Sequence, residues 1–215
     1  MFLREIISLR LLDPTLTDWD FKDLLLTLPE QKIKEIVVLP SYLRRAKQLL
    51  SLTDIKIGTV IDYPLGAGTL GKKAFEVGQA FQDGADFLEL TVNAETLLGS
   101  EITELESSLG SLALAWGEIR LQINTGDMKE LTKIESAERI KKLGWKRVVL
   151  DGIKTSEAAL HDAEIFEYDG GKQLAVQINL QSADPETIKE LSAQGVDYFG
   201  LSSLKTVDLA LAVNS

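Results

Sequence analysis

Side chains able to do chemistry recur two residues apart near the ends of short apolar runs. Glu89 is followed by Thr91 and Asn93. LQIN at 121–124 and VQIN at 176–179 set Gln122 with Asn124 and Gln177 with Asn179. Alternate side chains of a strand share a face, so each set points one way. A carboxylate among amides is equipped to move a proton or to hold a polar ligand. The plainer reading is an interior whose amides satisfy one another. Asp13, Asp62 and Asp151 join Glu89 near run ends. Four such carboxylates could hold magnesium or manganese through oxygen; the alternative is that two or more cap the following helices. Lining one pocket without a metal, they would repel a phosphate and favour a neutral or cationic ligand.

Other chemistries find less support. Cysteine is absent and the lone His161 lies in the polar run 158–166. Zinc and a histidine-activated nucleophile are therefore not expected, and neither a metal nor a cofactor is assigned. Ser202 and Ser203 precede a helix starting near Leu204, whose N-terminus would attract an anion, so they read as binding residues. Lys154, just beyond a strand, is either a solvated lysine or an available amine. Trp19, Trp116 and Trp145 lie among helical apolar residues or beside helix ends and are expected to pack.

The elements that must position these groups alternate along the chain. Eight short apolar runs suit buried strands: about 6–12, 36–39, 56–62, 87–93, 120–124, 147–151, 175–179 and 198–202. Helical signals separate them. Thr17 and Asp20 form a capping box, Ser41 follows Pro40 ahead of Leu43, Ala46 and Leu50, and Asp184-Pro185 pairs an N-cap with proline. Gly84, Gly144 and Gly195 each end a helix two residues before a strand, which makes Glu89, Val149 and Gly200 equivalent. Strands alternating with helices argue for α/β with a parallel sheet, and eight strands for a closed (β/α)8 barrel over an open doubly wound sheet. The whole of 1–215 is expected to be one domain. Neither G-x-G-x-x-G nor a P-loop occurs.

Charge bounds the partners. A net charge of −10 argues against nucleic acid and against an anionic membrane surface. The start, MFLREIISLRLLDP, carries Arg4, Glu5 and Arg10 inside its apolar run, so it reads as a first strand rather than a leader or membrane span. Without cysteine, a cytoplasmic location is expected. The apolar stretch 204–213 reads as a final helix that covers the barrel or meets a partner subunit.

Several segments in order resemble the deoxyribose-phosphate aldolases. They are Leu12-Asp13-Pro14-Thr15-Leu16, Val38-Leu39-Pro40-Ser41-Tyr42, Gly58-Thr59-Val60, Tyr63-Pro64-Leu65-Gly66-Ala67, Lys73-Ala74-Phe75-Glu76, and Phe199-Gly200 with Ser202-Ser203-Leu204. The resemblance implies a barrel that cleaves a sugar phosphate through a lysine imine, works without a cofactor, and forms a homodimer. It also implies where this chain departs. The imine lysine of the sixth strand falls on Val149, and the second lysine, of the seventh, on Gln177. The phosphate-binding glycine pair falls on Leu180-Gln181, and the fourth-strand aspartate on Glu89. Placing Lys154 in the imine position would need five inserted residues (154 − 149).

Three functions follow. The first is a barrel without imine chemistry that binds a small polar ligand through Asp13, Glu89, Asn93, Asn124, Gln177, Asn179, Ser202 and Ser203, with Glu89 as acid or base. The second is a carbon–carbon lyase on a 2-deoxy sugar phosphate, with Lys154 drawn into the pocket. The third is a non-catalytic interaction or regulatory protein on the same scaffold.

Overall fold

In the computed structural model, which describes residues 3–181 and 185–211, every run read as a strand is one. They are β1 (Ile7–Leu11), β2 (Glu35–Val38), β3 (Lys56–Ile61), β4 (Phe87–Thr91), β5 (Glu118–Asn124), β6 (Arg147–Asp151), β7 (Ala175–Leu180) and β8 (Tyr198–Leu201). Each pairs in parallel with the next, and β8 pairs with β1, giving a closed (β/α)8 barrel. The helices are α1 (Asp18–Thr27), α2 (Leu43–Leu49), α3 (Leu70–Gln82), α4 (Ala94–Leu98), α5 (Glu101–Trp116), α6 (Glu130–Leu143), α7 (Ser156–Gly170), α8 (Pro185–Ala193) and α9 (Leu204–Leu211). Among the described residues no helix is long and apolar enough to cross a membrane.

Local chemistry sets these boundaries. Thr17 Oγ1 caps α1 by accepting from Asp20 N, and it donates to the Asp20 carboxylate. That carboxylate therefore meets the hydroxyl where a capping box would have it meet the Thr17 N–H. Gly144, at φ +82°, ends α6 in the left-handed conformation that glycine reaches without strain. Asp184, expected to cap α8, lies outside the described residues. Trp19 is a correction: it is 72% exposed, because it sits on the outward face of the first turn of α1.

Apolar burial divides into two compartments. The larger lies between strands and helices and includes Phe21, Leu25, Val77, Ile140, Phe166 and Phe199. The smaller lies inside the barrel, where Val37, Val60 and Phe87 meet Leu12 and Leu39. Barrel interiors are usually filled by branched apolar side chains. Here Val37, Val60 and Phe87 fill one side, and apart from Val149 the other side is mainly charged and polar.

The glycine-rich loop from Asp62 to Thr69 is fixed over the carboxyl end of the barrel. Asp62 itself turns at φ +53°, a conformation that aspartate tolerates better than bulkier residues. Its N–H donates to Glu76, and its carboxylate accepts from Gly68 N–H, Lys72 and Lys73. Lys73, fully buried, also donates to the carbonyls of Gly66 at 2.9 Å and Gly68 at 2.8 Å. Gly66 is required because its φ is +64° and a Cβ would lie 2.7 Å from the backbone of Val92. Burial would raise the Asp62 pKa, but the two lysines outweigh it and hold the group below the usual carboxylate range.

Removing Lys73 leaves two buried carbonyls and half a carboxylate unanswered. Lys73→Met should cost about 3 kcal/mol in urea denaturation, within the range for breaking a buried pair. Lys72→Met, at an exposed position, should cost under about 1 kcal/mol. A depressed folded-state pKa contributes stability above the ordinary aspartate value near ~4, lost as pH falls through the folded one. Lys73→Met should therefore lessen the loss of stability on acidification. Equal costs for the two variants would contradict this account.

Candidate functional site

Six strands send charged or amide side chains into the barrel, and these form two connected layers. The lower layer centres on Glu35. Arg120 grips its carboxylate with two bonds of 2.6 and 2.7 Å, and Arg147 approaches it at 3.3 Å. The Arg120 guanidinium lies 3.6 Å over the Phe87 ring and that of Arg147 lies 3.5 Å over Tyr198. Such stacking suits a planar, weakly hydrated cation. Burial pushes the Glu35 pKa up, yet the bonds and charge of Arg120 outweigh it and the group sits low. Arg147 is pushed down by burial and then by its neighbour Arg120.

Arg147 links the layers by donating to Gln177 Oε1 at 2.6 Å. Gln177 Nε2 then donates to Glu89 Oε1 at 3.1 Å and to Asn179 Oδ1 at 3.0 Å. Glu89 has no solvent exposure, and its other oxygen accepts from Arg10, which reaches across the barrel from β1. The second Arg10 nitrogen lies 3.4 Å from Gln122 Oε1 and 3.3 Å from Asp151. Gln122 also donates to Asp151 at 3.1 Å. Burial works against the Arg10 charge, but Glu89 and Asp151 more than offset it. Gly200 makes the crossing possible: a Cβ there would lie 2.8 Å from Arg10 Cδ and collide with Asn179 Oδ1. Val149, fully buried, stands beside Gln122 and Gln177 in the register.

Tyr63 closes this network on the side of the strand carboxyl ends. Its ring centroid is 5.8 Å from the Arg10 guanidinium carbon. Burial, then the charge of Asp151, raises its pKa, so the phenol stays protonated.

The structure thus brings Glu89, Gln177 and Asn179 together, with Asp151 at the rim. The other residues read as candidates lie apart. Asn124 is exposed, and its side-chain oxygen takes the space that a Cβ on Gly152 would need. Asn93, expected to share the Glu89 face, accepts from Thr96 N at 2.8 Å and caps α4, because the strand has already ended at Thr91. Asp13 is exposed, and its bonds to Thr15 N and Oγ1, 2.8 and 2.6 Å, form a local turn. Those bonds hold its carboxyl below the usual range. Ser203 caps α9 by accepting from Thr206 N at 3.2 Å, and Ser202 is exposed. Lys154, 68% exposed, pairs with Asp127 at 2.9 Å, outside the interior network.

The four carboxylates read as one oxygen set do not converge. Asp13 serves a turn, Asp62 the β3–α3 loop, and Glu89 and Asp151 bond Arg10. Among the described residues no group of three or more carboxylates or imidazoles is placed to share a metal ion.

Arg10, Arg120, Arg147 and Tyr63 were not foreseen. A signal existed: Arg10 alternates with Ser8 inside an apolar run, and a buried arginine in a strand needs a carboxylate. Glu89 equally needed a cation. Sequence spacing supplied both halves without showing that β1 and β4 face each other across the barrel.

Curated relatives match over most of the chain. The deoxyribose-phosphate aldolase of Streptococcus gordonii is 26% identical over 206 residues, covering 94% of each chain. That of Staphylococcus carnosus is 28% identical over 182 residues, covering 81% of this chain and 80% of its own. Among solved structures, the deoxyribose phosphate aldolase from Aeropyrum pernix superposes with a TM-score of 0.81 at 19% identity, over 99% of this chain and 91% of that one. The aldolase QR15 gives 0.82 at 19%, over 95% and 93%. No family model matches. With the barrel and the ordered motif matches, these relatives make the chain similar to the deoxyribose-phosphate aldolases over nearly its whole length.

Proposed function

We propose that this aldolase-like barrel lacks imine chemistry and binds a small polar, sugar-like ligand at the carboxyl ends of its strands. One observation carries the reading. Where the family resemblance assigns the imine-forming lysine, the chain has Val149, buried next to an interior occupied by Arg10, Glu89 and Gln177. An imine needs a primary amine that spends time unprotonated. Arg10 supplies a cation in this space, but a guanidinium stays charged and is not such an amine. Lys73 is surrounded by the Asp62 carboxylate and two carbonyls, and Lys154 is exposed on Asp127. Any proton transfer falls to Glu89, once Arg10 releases the oxygen it holds.

Borohydride reduction in the presence of acetaldehyde tests the missing amine. The intact protein should gain no adduct mass on any lysine. An adduct on Lys154, lost in Lys154→Ala, would instead support a working lyase. Binding is tested by thermal shift with sugars, sugar phosphates and magnesium, where a ligand at a hundredfold excess over its Kd stabilises by about 2.7 kcal/mol. No shift with any of them would favour the interaction or regulatory role.

The interior pair has its own test. Arg10→Met should cost about 3–5 kcal/mol, because it strands a buried carboxylate. Adding Glu89→Leu should recover most of that loss, since apolar replacement of both partners is often neutral. Additive losses in the double variant would mean that the two side chains do not depend on each other.

A further inference from the structure

Two side chains towards the carboxyl end of the barrel interior each bury one polar atom that nothing answers among the described residues. Thr91 is 1% exposed and Asn179 6%, yet Thr91 Oγ1 and Asn179 Nδ2 have no hydrogen-bond partner among the described residues. Each lies two residues nearer the carboxyl end of its strand than Glu89 or Gln177, so both share the interior face of that network. Buried polar groups are rarely left unpaired, and the exceptions call for a reason. Arg10, Asp151 and Tyr63 complete the surroundings.

Charge decides what could answer them. Arg10 is already matched by Glu89 and Asp151, Lys72 and Lys73 by Asp62, and Lys154 by Asp127. None of these cations is left over for a phosphate. The Ser203 hydroxyl is committed to capping α9. Leu180-Gln181 stands where the family resemblance calls for a phosphate-binding glycine pair. An added anion would meet Asp151 and Glu89 without compensation.

We propose that this mouth selects an uncharged, polyhydroxylated ligand, an unphosphorylated aldose or polyol, which Asn179 Nδ2 and Thr91 Oγ1 bond through adjacent hydroxyls. Asp151 accepts a hydrogen bond from a third hydroxyl. The proposal rests on the reading above that the mouth binds a small polar ligand, and it names the class.

Calorimetric titration of the full chain with 2-deoxy-D-ribose, D-ribose and erythritol, against 2-deoxy-D-ribose 5-phosphate and inorganic phosphate, tests it. At least one neutral probe should bind roughly tenfold or more tighter than the ester, about the worth of one charge-dependent contact. Thr91→Val keeps the side chain's shape and removes an unpaired hydroxyl, so the unliganded Tm should hold or rise. The same variant should weaken the neutral ligand several-fold, and Asn179→Leu should do so independently. Tighter binding of the ester than of every neutral probe would overturn the neutral class while leaving a ligand site standing. Unchanged affinity in both variants would mean that water alone satisfies the two groups, and would overturn their assignment. Binding by none of the probes would sink the ligand-site reading itself.

Discussion

A guanidinium on β1 and a carboxylate on β4, joined across the barrel axis, set the terms for everything else in the interior. Neither could be buried alone, since an isolated charge in a low-dielectric interior costs far more than a fold can spare. Arg10 answers Glu89, and what remains of each must be satisfied by neighbours. Gln177 serves the second Glu89 oxygen, while Gln122 and Asp151 serve the second Arg10 nitrogen. Gly200 has no side chain because the Arg10 stem and the Asn179 amide take that volume. Even the apolar remainder follows, with Val37, Val60 and Phe87 confined to the side that the ion pair leaves free.

The second constraint is the loop after β3, which shapes the entrance. Asp62, Lys72 and Lys73 tie its ends together, and Gly66 lets it rest against the chain leaving β4. With the loop held, Tyr63 stays over Arg10. Charge pairing thus works at two depths. One pair fills the centre, and a lysine–aspartate cluster at the rim positions the residue that covers it. The segment that most resembles the family is the one carrying this cluster, so its clearest contribution here is to the architecture of the entrance.

What the sequence disclosed follows from where the information lies. Strand positions were legible because buried parallel strands are short apolar runs bounded by turn signals, as at Val148 to Leu150 and Ile36 to Val38. The interior face was legible wherever alternation continued, as for Glu89 and Gln177. It failed at Asn93, because alternation holds only while the strand lasts and a helix cap claimed the side chain first. Asp13 and Ser203 fell to the same competition, since short polar side chains beside a backbone turn find local N–H groups before they find a pocket. The three interior arginines stayed hidden for a different reason. Pairing across a barrel depends on strand order around the closed sheet, and no local pattern encodes it.

Valine where the family resemblance assigns a lysine bears on packing as well as on reactivity. An unprotonated amine in a pocket is sustained by burial and by a neighbouring cation, so it keeps a space into which a carbonyl can move. Valine keeps no such space and asks nothing of its neighbours. With Val149 at that point and Gln177 on the adjoining strand, the long Arg10 side chain is free to cross from β1 and take the carboxylate. A lysine introduced at position 149 would add a cation beside an interior that already holds the Arg10 guanidinium. Arg10 and Gln177 are thus coupled through the two oxygens of Glu89, with Val149 beside Gln177 in the register.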